Sequence, residues 1–313
     1  MVNAQEWLDR NYPKEERNST KELFVNEVNF TDTLDLSDFV NLEELYCYDN
    51  QLLTNLNLDN CTKLKKIRCP CNQLNNLDLT NCSKLEKLEC FYDNYLQDLK
   101  LPAQAEQLTY LDIRNNNLSE RDLSMFSHLI NLESLFVNDN RFVGSLKPLQ
   151  NLTKLEDLDI SNTDIDSGVE YLSDSVESFR FSADERKDAR CQVFFNFFPN
   201  EKGIIEVDED DRIIDFPQKL QAYKQKIAKE KARELLKEEL QEKDQQIQEL
   251  KIQLEQTQKE NKELKQQLTI TQTENQSLLN LYNNLWEQIN NSEIIQEAKI
   301  LQPTYGTPGP SKK

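Results

Sequence analysis

A near-repeat with a period of 21 to 24 residues constrains this chain more than any other feature, because such a period commits it to stacked units rather than a closed globular core. The stretch LEELYCYDNQLLTNLNLDNCTK aligns with LKKIRCPCNQLNNLDLTNCSK, then with LEKLECFYDNYLQDLKL, LTYLDIRNNNL, LESLFVNDNRF and LEDLDISNTDI. Leading apolar positions are Leu42, Leu64, Leu85, Leu108, Leu132, Leu155 and Val176, and a degenerate opening unit from Thr20 supplies Leu23, Val25, Val28 and Phe30. Each unit follows L-x-x-L-x-L-x-x-N-x-L. The alternating apolar places make a short strand with one buried face, which needs the next strand beside it. Asn50, Asn72, Asn116 and Asn140 fall at the strand exit, where a buried amide can satisfy backbone groups freed as the chain turns.

This pattern resembles the leucine-rich-repeat family over residues 20 to about 190. The resemblance implies an α/β-type solenoid, a horseshoe with a parallel concave sheet. The second half of each unit, as in LNLDNCTK, is short, so the convex side is expected to carry irregular or 3₁₀ segments rather than full helices. The third unit, CFYDNYL, has one residue more than its neighbours and sets Asn94 one place late, which predicts a local bulge. Thr163 stands in the asparagine place of the sixth full unit, and the pattern fails after Phe181, where the solenoid ends.

An open solenoid end would leave an apolar cross-section in water, so both ends need covers. Trp7, Leu8 and Tyr12 supply one from a short helix within residues 1–19. Val193, Phe194, Phe195, Phe197 and Phe198 supply the other within 191–216, which also holds the acidic linker EVDEDDRIIDF.

From Pro217 no proline or glycine interrupts the chain until Pro303, and about 85 residues of helix would reach roughly 125 Å. A heptad register is clearest from Ile247 onward. Its a places are Ile247, Leu254, Asn261, Leu268, Asn275, Tyr282 and Ile289, and its d places Leu250, Thr257, Leu264, Thr271, Leu278 and Leu285. Residues 217–301 are therefore expected to form a parallel two-stranded coiled coil that makes a homodimer, with a phase break near residue 230. The oligomerising residues would be Ile247, Leu250, Leu254, Asn261, Leu264, Leu268, Asn275, Leu278 and Leu285. The tail 302–313 is disordered by composition.

Composition narrows the function. Residues 1–217 carry 22 basic and 42 acidic side chains, which repel a nucleic-acid backbone or an anionic membrane surface. The five glycines are too scattered for a phosphate-cradling loop, and a lone histidine, His128, leaves no room for a multi-histidine metal site. No enzyme activity, cofactor or metal is expected. The first residues lack the apolar run of a secretory signal, and no apolar stretch approaches membrane-spanning length, so an intracellular, cytoplasmic protein is expected. Of seven cysteines, Cys47, Cys69, Cys90, Cys61 and Cys82 occupy repeat positions read as buried, whereas Cys71 falls on the exposed face and is the thiol expected to react.

The outward strand positions can be read column by column. They concentrate Tyr46, Tyr48, Phe91, Tyr92, Tyr110 and Phe136, with Arg68 and Arg114 between them, the make-up of an interface core. The whole resembles intracellular leucine-rich-repeat proteins with a C-terminal coiled coil, and the NCxKL style looks like expanded fungal sets of them. That resemblance implies a scaffold or adaptor that binds a protein on its concave face. The alternative is a regulatory subunit of an enzyme or a thiol-based sensor using Cys71.

Overall fold

A computed structural model of the chain describes residues 2–92, 95–198, 207–209 and 212–291. The expected bulge at Asn94, part of the acidic linker, the helical segment beyond residue 291 and the tail 302–313 lie outside the described residues. Two compact units divide between Lys231 and Ala232.

In the first unit, eight three-residue strands recur once per repeat: β1 (Glu22–Phe24), β2 (Glu44–Tyr46), β3 (Lys66–Arg68), β4 (Lys87–Glu89), β5 (Tyr110–Asp112), β6 (Ser134–Phe136), β7 (Asp157–Asp159) and β8 (Ser178–Arg180). They form one parallel sheet in chain order, with Leu23, Leu45, Ile67, Leu88, Leu111, Leu135, Leu158 and Phe179 in register. That column is fully buried, as is the next inward one: Val25, Cys47, Cys69, Cys90, Ile113, Val137 and Ile160. Period-two alternation therefore sets one face into the core and leaves the other outward on every strand.

The return side changes along the chain. Early units run extended there, as Phe30–Asp35, Leu52–Asn57, Asn76–Asp78 and Asp98–Lys100, and later ones close into 3₁₀ turns at Leu123–Phe126, Lys147–Leu149 and Val169–Tyr171. None of these return segments is a full α-helix, as the short half-repeats predict.

The asparagines act as expected. Asn72 Nδ2 donates to the carbonyls of Cys47 (2.8 Å) and Cys69 (2.9 Å), and its Oδ1 accepts from Asn50 N (3.1 Å). Asn116 and Asn140 repeat the donor half, to Cys90 (2.8 Å) and Ile113 (2.9 Å). Thr163 keeps a single bond, Oγ1 to Ile160 O at 2.6 Å. A second constraint of this turn was not anticipated: the residue before the asparagine place is left-handed in seven units, at Glu27, Asp49, Cys71, Tyr92, Asn115, Asp139 and Asn162. Asp and Asn tolerate that backbone; Cys71 and Tyr92 suit it less well.

Both ends are covered. Helix α1 (Ala4–Asn11) is capped by the Asn3 side chain, buries Leu8 and sets Trp7 edge-on to Phe30 at 5.4 Å. Arg17, on the short helix α2 (Lys14–Arg17), is buried there and held by Tyr12 O (2.8 Å), Asp38 (3.1 Å) and Asp9 (2.5 Å). At the other end Phe194 lies 5.6 Å from Phe179 and 5.7 Å from Phe181. Helix α3 (Phe216–Asn290) starts in this unit, and its first turns complete the cover. Phe216 stands 5.1 Å from Phe179 and 5.5 Å from Phe198, and Tyr223 stands 5.3 Å from Phe197.

The described part of the second unit is the rest of α3 and the residue after it, Asn291. Its side chains from Ala232 to Ile289 are exposed, heptad leucines included. Among the described residues no helix is long and apolar enough to cross a membrane.

Candidate functional site

The outward faces of β1 to β8 and of the residues just after them bring the expected aromatics together in two bands. In the first, the Phe24 and Tyr46 rings stack at 4.7 Å and 6°, and Arg68 lies 5.9 Å over the ring of Tyr48. Tyr46 Oη donates to Glu44 Oε2 (2.6 Å), and Lys66 Nζ stands 2.9 Å from Glu44 Oε1. That hydrogen bond raises the Tyr46 hydroxyl above its ordinary value and lowers the Glu44 carboxyl.

In the second band, Arg114 lies 4.7 Å over Phe91 and 5.3 Å over Tyr92, Lys87 Nζ lies 4.1 Å over Tyr110, and Tyr110 stands 5.6 Å from Phe136. Arg180 covers Phe136 at 5.4 Å and binds Asp159 at 3.1 Å. Cations over ring faces gain from the ring quadrupole and keep their charge near water. Burial raises Tyr110 to about 12.

Below this band sits Asp112, 1% exposed. Arg114 Nη2 is 3.4 Å from its Oδ2, but misaligned, so that oxygen has no hydrogen-bond partner. Burial pushes its carboxyl up to about 6.

All eight side chains expected at the interface thus line the two bands, although they are not equally accessible. Tyr92 is 44% exposed, whereas Phe136 is 9% exposed, beneath Arg180 and beside Tyr110. Phe24, 53% exposed on the edge strand, heads the column of Tyr46 but was left out of the expected interface, which was drawn from the full units alone. Lys87 was missed because it stands two places before the column of Tyr46 and Phe136, outside the two outward columns that were read.

The cysteines are all thiols. Cys47, Cys69 and Cys90 stand in one row immediately after β2, β3 and β4; a hydrogen bond with Cys69 raises the Cys47 thiol, and against the lowering effect of Cys47, Cys90 and burial raise Cys69. Burial pushes Cys61 and Cys82 up to about 12. Cys71 is half-buried beside Asp49, Gln51, Asn72, Gln73 and Tyr95 around a cavity of about 300 Å³. His128 is exposed on the return side, with Nε2 3.1 Å from Pro102 O.

No family model and no curated protein matches the sequence. Solved structures do resemble it. The functional domain of InlJ from Listeria monocytogenes, described as including a cysteine ladder, is 25% identical with a TM-score of 0.49, over 61% of this chain and 37% of that one. A plant peptide hormone receptor, RGFR1, in complex with RGF2 is 21% identical with a TM-score of 0.43, over 51% of this chain and 27% of that one. Internalin C2 of the same bacterium is 23% identical with a TM-score of 0.39, over 54% and 84%. The chain thus spans about a third of the first two structures.

Proposed function

We propose that this chain, whose residues from Glu22 to Arg180 build a leucine-rich-repeat solenoid, is a non-enzymatic scaffold or adaptor that takes a protein partner on its concave face and self-associates through α3. The carrying observation is the pair of aromatic bands. Lys66, Lys87, Arg68, Arg114 and Arg180 stand within 4 Å of carboxylates on their own or neighbouring strands, at 2.9, 3.4, 3.8, 3.4 and 3.1 Å. What the face offers is therefore ring surface edged by engaged charge, the make-up of an interface core.

Self-association is supported by the exposed heptad stripe. Among the described residues α3 has one side-chain ion pair along it, Lys237–Glu234 at 3.5 Å, so little lacing supports a lone helix. Burying the a and d residues against a second copy would stabilise it and give two concave faces per assembly, hence avidity. A second reading, a thiol sensor, draws on Cys71, the one cysteine that is not buried.

Capture by the immobilised full chain, read by mass spectrometry, tests the first reading. Tyr46→Ala with Phe91→Ala is expected to lose a protein the parent retains, with the melting temperature within a few degrees. Ile130→Ala, on the return side and 51% exposed, is expected to retain it. Equal capture by the double variant would move the site elsewhere.

A further inference from the structure

The heptad stripe of α3 changes width near its end. From Ile247 to Asn275 the places flanking the seam are polar: Lys251, Gln258, Lys265 and Gln272 at e, and Gln253, Glu260, Gln267 and Glu274 at g. Over the next two heptads three of the four become apolar, Gln288 at g staying polar. Leu279 and Trp286 stand at e and Leu281 at g, beside Leu278, Tyr282, Leu285 and Ile289 on the seam, and all seven are 48–64% exposed. A two-stranded coil covers a and d and leaves e and g at its rim; burying e and g as well requires further helices.

We propose that residues 278–289 join two coiled-coil dimers of this chain into a four-chain assembly. This rests on the coiled-coil reading and adds a second interface to it. Three observations favour another pair of the same helices as the occupant. Leu279, Leu281 and Trp286, which the a/d seam leaves uncovered, are each about half exposed and amount to roughly 300 Å² per chain, or about 600 Å² per two-stranded coil, within the roughly 600–1,000 Å² per partner of a standard stable interface. Within the segment the one charged residue is Glu287, at f on the far side from the seam, so a like surface meets no like charge. The face is also continuous with the a/d seam, so the two-stranded coil already gathers two copies of it. Upstream, Asn261 and Asn275 at a and the polar flanks hold that stretch to two strands.

Sedimentation of the full chain at micromolar concentration tests this against Leu279→Gln/Leu281→Gln/Trp286→Gln, which leaves every a and d residue in place. The expected result is four chains for the parent and two for the triple variant. A parent of two chains, unchanged by the substitutions, overturns the second interface and leaves the coil standing. A monomeric parent overturns both. Four chains in the triple variant place the junction elsewhere and also overturn the proposal. Trp286 gives an independent readout, since Trp7 is the only other tryptophan. In a Trp7→Phe chain, indole emission is expected to be blue-shifted and to move red on dilution through the four-to-two step. Water-like emission at all concentrations would count against burial.

Discussion

At the residue scale the most telling side chain is Asp112, a carboxylate buried at the floor of the concave face. Its value in the folded chain is about 6, against 3.8 for an ordinary aspartate. Between those values the folded chain holds a proton that the unfolded chain has released, so this group's contribution to stability falls as pH rises from 3.8 to about 6. Asp112→Asn removes the charge while keeping the shape. It is expected to stabilise the chain at pH 7.5 by about 1–2 kcal/mol, the loss of the Arg114 ion pair offsetting part of the gain, with the advantage vanishing as the pH falls below 4. Urea unfolding at several pH values checks this, and a pH-independent difference would contradict it. The left-handed turn residues belong to the same scale. The backbone fixes that conformation at one place in each repeat whatever side chain is there, which is why Cys71 and Tyr92 adopt it beside Asp49, Asn115 and Asp139.

At the element scale, α3 divides its work. Its first turns belong to the solenoid cover: Phe216 and Leu220 are fully buried, and Lys224 reaches Leu172 O at 2.5 Å and Asp174 at 2.6 Å. Sequence reasoning began the helix at Pro217 and gave it wholly to the coil, because a proline at a helix start and an unbroken helical run say nothing of what the first turn packs on. A chain ending at Lys231 is therefore expected to unfold cooperatively. One ending at Asp215 loses Phe216, Leu220 and Tyr223 from beside Phe179, Phe197 and Phe198, and is expected to lose about 3–5 kcal/mol, or to fail to fold at 37 °C. Thermal melting of the two fragments by circular dichroism checks this, and equal midpoints would make the first turns of α3 dispensable.

For the whole molecule, the proposed assembly state depends on how well the seam is specified. In the proposed coil, Asn261 and Asn275 at a, with Thr257 and Thr271 at d, would make pairing marginal but selective, because a buried amide pair is tolerated in a parallel dimer and penalises other registers. Replacing Asn261 and Asn275 by Leu is expected to raise the melting temperature of the helical signal and to broaden the distribution of oligomers. Sedimentation of both chains measures this, and an unchanged single state would show that the asparagines do not choose it. On the proposed function the concave face would act in proportion to the copies gathered, so loss of the coil is expected to weaken partner retention without altering the face itself.

The repeat was legible in the sequence because its physics is local and periodic. A leucine every second place must point one way, a short strand needs a neighbour, and an asparagine at the exit must pair with freed backbone; Leu111, Leu135 and Asn72 stand where that reasoning places them. The aromatic columns were legible for the same reason, since a fixed register assigns each side chain a face. What the register leaves open is how long side chains lean. Only the tertiary structure decided that Arg114 lies over Phe91 and Tyr92, that Arg180 folds over Phe136, and that Asp112 loses its water while Asp157 on a nearby strand keeps partial exposure. Those outcomes depend on neighbours one or two repeats away along the chain, as with Arg114 over Phe91 and Arg180 over Phe136, and on the volume of each adjoining side chain, neither of which a single repeat encodes. The burial of Arg17 and the hold of Phe216 on the last strand are of the same kind, because an end cover is aperiodic and its partners are set by shape rather than spacing.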